Sequence, residues 1–204
     1  MTLDSMSSAV ISPDGRYRYQ LRRRVGPSAR PCAFVMLNPS TADATEDDPT
    51  IRRCMAFAAR WGCGELIVVN LFAVRATKPA EMLKADDPVG PDNMEHIKKV
   101  ADYVARGILA EDRRGPFRHL AGPVVCAWGN HGPYMGQDET VLGWLEAEGV
   151  TPMALKVTKA GEPCHPLYLP ATLEPRALAE LRVGQRPTWG GPETAPEHEK
   201  SGSA

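Results

Sequence analysis

CAFVMLNPST, Cys32 to Thr41, decides the fold: a compact apolar run ends abruptly in Asn38-Pro39-Ser40-Thr41. An apolar run without polar alternation belongs to a strand covered on both faces, as in parallel sheets. Two more runs have the same form, ELIVVNLF (Glu65 to Phe72) and PVVCAWG (Pro123 to Gly129). Between the first two lies the polar loop STADATEDD, which runs into Asp48-Pro49. Aspartate before proline starts a helix, with Asp48 capping and Pro49 in the first helical position. Ile51, Cys54, Met55 and Ala58 then mark one helical face, and Gly62 or Gly64 stops it.

Working outward, Met94, Ile97, Ala101, Val104 and Ile108 predict a helix from Asn93 to Leu109. Further helices are expected over Glu139 to Glu148 and Glu174 to Leu181, and a short strand over Met153 to Val157. Arg16 to Arg24 alternates arginine with tyrosine, glutamine and leucine, which reads as a strand near the sheet edge. Strands alternating with helices imply an α/β protein, a three-layer α/β/α sandwich around a mostly parallel central sheet. Residues 1–183 form one expected domain. From about Gly184 the composition turns to Pro, Gly, Glu and Ser, so residues 184–204 read as a flexible tail.

The chain has 204 residues, enough to bury a sizeable core, and a net charge of −1. Nucleic-acid binding would therefore need a local basic face rather than global charge. Five cysteines, odd in number and never in a CxxC pair, fit reduced thiols in the cytoplasm better than a disulfide framework. MTLDSMSSAV lacks the pattern of a secretion signal, and no segment is apolar enough to span a bilayer, so a cytoplasmic protein without membrane contact is expected.

Polar motifs recur at corresponding places. Asn38-Pro39-Ser40-Thr41 follows the first buried strand, and Asn70 with Arg75-Ala76-Thr77 closes the second. Trp128-Gly129-Asn130-His131-Gly132 follows the third, and His165-Pro166-Leu167-Tyr168-Leu169-Pro170 follows the fourth. Parallel α/β sheets bind ligands beyond the carboxyl ends of their strands, so these motifs are expected to share a crevice. Each alone has a plainer reading. Asn38-Pro39 suits a turn, Asn70 can satisfy loose backbone groups, and His165 can be a structural loop histidine.

The order of NPST, VVNLF, WGNHG and HPLYL resembles that of the uracil-DNA glycosylase superfamily. Those enzymes carry a Gly-x-Asn/Asp-Pro motif after the first core strand, a base-reading asparagine after the next, and a His-Pro loop near the C-terminus. More closely, RYRYQL, MLNPSTAD, DDPTIRRC, NLFAVRAT, DPVGPDN, AWGNHG and GEPCHPLYL resemble the bacterial domain of unknown function 1643 family. The first resemblance implies a uracil-DNA-glycosylase-like fold and a monofunctional DNA glycosylase, an N-glycosyl hydrolase working by base flipping and needing no cofactor or metal. Its partner would be DNA, phage or damaged, and a monomer is expected.

Such chemistry passes through an oxocarbenium-like sugar and an anionic leaving base. Asn38 would position the water, with Asp43 as a nearby second polar group, and His165 would donate to the charge developing on the base. Asn70 would pair with the base edge, Phe72 or Trp128 would stack on its face, and Pro39, Ser40 and His131 would complete the base pocket. In uracil enzymes a tyrosine after the motif's proline blocks a substituent on pyrimidine C5. Ser40 stands there instead, which leaves room for a modified base such as the hydroxymethylated or glucosylated cytosine of phage DNA. That implies base excision in anti-phage defence. Arg52, Arg53, Arg75, Lys78, Lys156 and Lys159 would contact phosphates, and Leu167, Tyr168 or Leu169 would fill the gap left by the extruded base.

Two other classes stay open. A nucleotide hydrolase could use Asp43, Asp47 and Asp48 with magnesium, and a non-catalytic sensor could hold a modified base or nucleotide in the same crevice. Cys126, Cys164, His131 and His165 lack the spacing of a zinc module, and neither GxxxxGK[ST] nor GxSxG occurs.

Overall fold

The burial of β3 (Pro31–Met36) on both of its faces organises the molecule. The computed structural model of the chain describes residues 7–40, 47–106 and 120–183. Its strands are β1 (Ser8–Ile11), β2 (Arg18–Arg24), β3, β4 (Glu65–Asn70), β5 (Val124–Cys126), β6 (Pro152–Ala154) and β7 (Arg176–Ala177). They form one seven-stranded sheet in the order β1-β2-β4-β3-β5-β6-β7. The helices are α1 (Pro49–Arg60), α2 (Pro79–Met82), α3 (Asn93–Arg106), α4 (Gln137–Ala147) and α5 (Leu178–Arg182).

Cys32, Phe34 and Met36 of β3 pack with Ile51, Cys54, Phe57 and Ala58 of α1. Ala33 and Val35, pointing the other way, pack with α3 and α4 residues such as Ile97, Val104, Val141 and Leu145. The period-two alternation of a strand thus feeds two cores, one on each face. Fully burying a side chain the size of Phe34 or Leu145 is worth about 1.5–3 kcal/mol. α1 begins as its sequence requires: Oδ1 of Asp48 accepts the Ile51 N–H at 2.8 Å, and Pro49 occupies the first turn. It ends before Gly62, whose φ of 71° is one that a side chain resists.

The sheet is mixed rather than mostly parallel. β4, β3, β5 and β6 pair in parallel, while β1–β2, β2–β4 and β6–β7 are antiparallel. The cause is the N-terminal hairpin: Ser8–Ile11 forms an outer strand that the sequence reading passed over, and it moves the arginine-rich strand inward by one place. The expected helix over Glu174 to Leu181 also gives way. Arg176 and Ala177 pair with Ala154 and Met153, and helix begins only at Leu178. β6 stops at Ala154, while Val157 makes an isolated bridge to Pro163.

β2 contains the irregularity that matters most. Val10 pairs with Gln20 but Ile11 with Arg18, so Tyr19 is an extra residue in the ladder. Such a bulge reverses which residues face which side. Leu21 lies in the α1-side core and Tyr19 in the opposite one, although they are two residues apart. Arg18 is thereby turned towards Met36 and Val68 on the α1 side.

The tail expected over residues 184–204 lies outside the described residues. Among the described residues no helix is long and apolar enough to cross a membrane.

Candidate functional site

Successive strand ends are laced together by backbone hydrogen bonds. The N–H groups of Leu71 and Phe72 donate to the carbonyls of Met36 and Leu37 at 2.8 and 2.9 Å, and Ala76 donates to Pro39 at 3.0 Å. The loop after β3 therefore lies against the loop after β4. Gly129 donates to the Pro163 carbonyl at 2.8 Å, and Cys164 to that of Lys156 at 2.8 Å, which draws in the loops after β5 and β6. Arg53 of α1 reaches the Leu169 carbonyl and fixes the far end of the histidine loop.

These loops enclose a cavity of about 440 Å³ at the carboxyl ends of the parallel strands. Asn38, Ser40, Asn70, Trp128, His131, His165 and Leu167 all line it, together with the start of α1. The sequence motifs do share one crevice.

Asn38 is half-buried. Its Nδ2 donates to the Ala76 carbonyl at 2.8 Å and to that of Pro39 at 3.2 Å, so what it offers a ligand is the acceptor Oδ1. Asn70 ends β4 at 1% exposure, and its Nδ2 has no hydrogen-bond partner among the described residues. A buried donor without a partner costs about 1–3 kcal/mol. The strand end behind it is held by Asn93 at the start of α3, whose Nδ2 donates to the carbonyls of Asn70 and Leu71, each at 2.9 Å.

His165 precedes the short helical turn Pro166–Tyr168. Its Nδ1 accepts the Leu167 N–H at 3.4 Å, so the neutral ring carries its proton on Nε2. Burial pushes the imidazole below its ordinary value, against the pull of the Asp48 carboxylate, and the neutral form prevails at pH 7. The N-terminus of α1 stands on the same wall, its positive dipole end capped by the Asp48 carboxylate.

Trp128 is buried and lines the cavity, and its indole N–H is held by Glu162 at 2.9 Å. Burial raises the pKa of Glu162, an effect opposed by the Trp128 hydrogen bond and by Arg182. Gly132 is required beside it: a Cβ there would stand 2.0 Å from Cδ1 of the indole.

Several expected positions lie elsewhere. Phe72 is fully buried in the opposite core, tilted against Tyr134 at 5.7 Å, and cannot offer its face to a ligand in the cavity. Pro39 is buried behind the wall. Arg53 is committed to Leu169 and packs over Phe57 at 5.0 Å, so it braces the loop instead of projecting from it. Arg52 bonds the Asp47 carbonyl, and Arg75 the Gly15 carbonyl at 3.4 Å. Lys78, Lys156 and Lys159 are exposed, and Tyr168 projects from the rim at 88% exposure. Asp43 falls outside the described residues.

Of the proposed acidic cluster, Asp47 is paired with Arg23 at 2.7 Å and Asp48 caps α1. Among the described residues no group of three or more His, Cys, Asp or Glu side chains could hold a metal ion. Arg18, only 2% exposed, lines the cavity and was not foreseen.

The fold and site define an α/β protein with a cavity at the carboxyl ends of four parallel strands, in which a few polar side chains are set into a largely apolar wall. The chain belongs to the family described as "Protein of unknown function (DUF1643)", which it matches over residues 18–167. No curated protein and no solved structure matches it.

Proposed function

We propose that the protein is a monofunctional DNA glycosylase that extracts a 5-substituted pyrimidine from DNA and hydrolyses its N-glycosidic bond. The observation that carries the reading is the convergence of Asn38 after β3, Asn70 at the end of β4 and His165 in the loop after β6 on one cavity. Their order along the chain resembles that of the uracil-DNA glycosylase superfamily, whose three-layer α/β/α architecture agrees with helices on both faces of this sheet.

Each group suits a step. Oδ1 of Asn38 accepts from a water and aims it at the anomeric carbon. The water oxygen bonds to C1′, the C1′–N1 bond breaks with its electron pair passing to the base, and a proton from the water completes the free base. Nε2–H of neutral His165 donates to the base as charge develops. The Asn70 amide finds the partner it lacks on the base edge. Asn38 is uncharged and a weaker base than a carboxylate, so turnover is slow.

Ser40 on the cavity wall leaves space where a larger residue would press on C5. That favours hydroxymethylated or glucosylated cytosine and, with it, a role against phage genomes carrying such bases. Tyr168 at the rim is the side chain best exposed to fill the vacated stack. The commitments of Asp47 and Asp48 weigh against a metal-dependent hydrolase.

The test is alkali-labile strand breakage of oligonucleotides carrying uracil, 5-hydroxymethylcytosine or its glucosylated form, in the presence of chelator. Breaks confined to a modified base are expected. Activity that appears only with a divalent metal, or tight binding without base loss, contradicts the proposal.

A further inference from the structure

β2 places an unexpected residue at the cavity. Arg18 sits within a strand flanked on both sides by other strands, at 2% exposure. Sheet stability alone does not call for a guanidinium there, because burying its charge costs more than burying an apolar chain of the same size. The bulge at Tyr19 turns Arg18 to the α1 side, where it lines the cavity with Asn70. The two come from neighbouring strands: β2 pairs with β4, and the Arg18 N–H donates to the Ala73 carbonyl at 2.9 Å.

Both residues bring hydrogen-bond donors. A guanidinium has no acceptor at all, and the Asn70 amide nitrogen is the group left without a partner. Two donors from adjacent strands select a ligand with two adjacent acceptors. Among pyrimidines, cytosine-type bases present O2 and N3, which both accept. Uracil- and thymine-type bases place a donor, N3–H, between O2 and O4. A guanidinium facing N3–H leaves two donors opposed in a buried site.

We infer that Arg18 and Asn70 together read the O2/N3 edge of a cytosine-type base, with Arg18 as the residue that excludes uracil-type bases bearing the same C5 substituent. The inference rests on the glycosylase reading of the cavity and adds the residues that select a cytosine-type over a uracil-type base. A fixed positive charge beside O2 also suits a base that leaves as an anion.

The experiment compares two oligonucleotides of identical sequence, one carrying 5-hydroxymethylcytosine and the other 5-hydroxymethyluracil. Initial rates of abasic-site formation at subsaturating substrate give the ratio of kcat/KM. The native protein is expected to favour the cytosine substrate by about 10-fold or more, the cost of one buried group facing the wrong partner. In Arg18→Gln, whose amide can accept as well as donate, the ratio is expected to fall to within about 3-fold. A merely structural Arg18 would lower both rates and leave their ratio unchanged. Equal rates in the native protein, or a ratio preserved in Arg18→Gln, overturn the inference while the glycosylase reading stands. Base loss from neither substrate overturns the inference, and it overturns the glycosylase reading as well when an oligonucleotide carrying glucosylated 5-hydroxymethylcytosine is equally inert. The comparison in the native protein decides the question even if the variant does not fold.

Discussion

The indole N–H of Trp128 donates to Oε2 of Glu162 at 2.9 Å, and both side chains are buried. Arg182 stands 3.7 Å from the same carboxylate, so the final helix is tied through it to the cavity wall. Removing the acceptor strands a buried indole N–H. Glu162→Leu is expected to cost about 1–3 kcal/mol in urea denaturation, whereas Glu162→Gln, which keeps an acceptor, costs less than about 1 kcal/mol. Equal losses in both variants would show that the hydrogen bond does not hold the ring.

On the proposed function, Asn70 exchanges stability for binding. Its Nδ2 is buried and unpartnered, so Asn70→Leu, close in volume, removes a polar group that the fold leaves unsatisfied. The variant is expected to be as stable as the native protein or up to about 1 kcal/mol more stable, yet to bind a modified-base oligonucleotide at least about 10-fold more weakly. Denaturation and a fluorescence titration check the two halves. A variant that is destabilised and still binds normally contradicts the assignment.

His165 is expected to stay neutral to lower pH than an ordinary imidazole. Its folded-state pKa is depressed by burial, so the stability it contributes is present above the unfolded value of 6.5 and is lost as pH falls through the lower folded value. Base release that uses the neutral Nε2–H donor is therefore expected to be level from pH 7.5 to below 6.5 and to fall only beneath that. A histidine-resolved NMR titration with a midpoint at or above 6.5 would contradict the account. His165→Ala is expected to slow release by about 10²–10³-fold.

The basic residues separate by what they already hold. Lys78, Lys156 and Lys159 are exposed, while Arg53 is engaged with Leu169. Each of the three lysines, changed to alanine, is expected to lower the salt slope of DNA binding by about one. Arg53→Ala should leave that slope nearly unchanged and lower stability, because it frees the loop bearing His165. Binding measured from 50 to 200 mM salt is the check, and a reduced slope for Arg53→Ala would sink the distinction.

The parallel core was legible because burial on both faces leaves an unmistakable mark, as in CAFVMLN and ELIVVN. The start of α1 was legible because aspartate before proline satisfies two separate requirements of a helix terminus. β1 was not, since Ser8–Ile11 is short and half-exposed and draws its order from β2. The site divides in the same way. Asn38 and Asn70 stand where apolar runs stop, and His165 stands before a proline in the loop that follows the fourth parallel strand. Arg18 could not be found from its spacing, because a bulge reverses the face it presents and no local rule announces the bulge. Phe72 misled for the opposite reason: adjacent to the site in sequence, it is committed to the other core.

The most direct test is mass spectrometry of what leaves an oligonucleotide carrying 5-hydroxymethylcytosine after incubation with the protein in chelator. The account predicts intact 5-hydroxymethylcytosine as the free base, one abasic site for each base released, and loss of both products in Asn38→Ala and His165→Ala. Release of a nucleoside or nucleotide, or no release from this base and its glucosylated form in single or double strands, would contradict it.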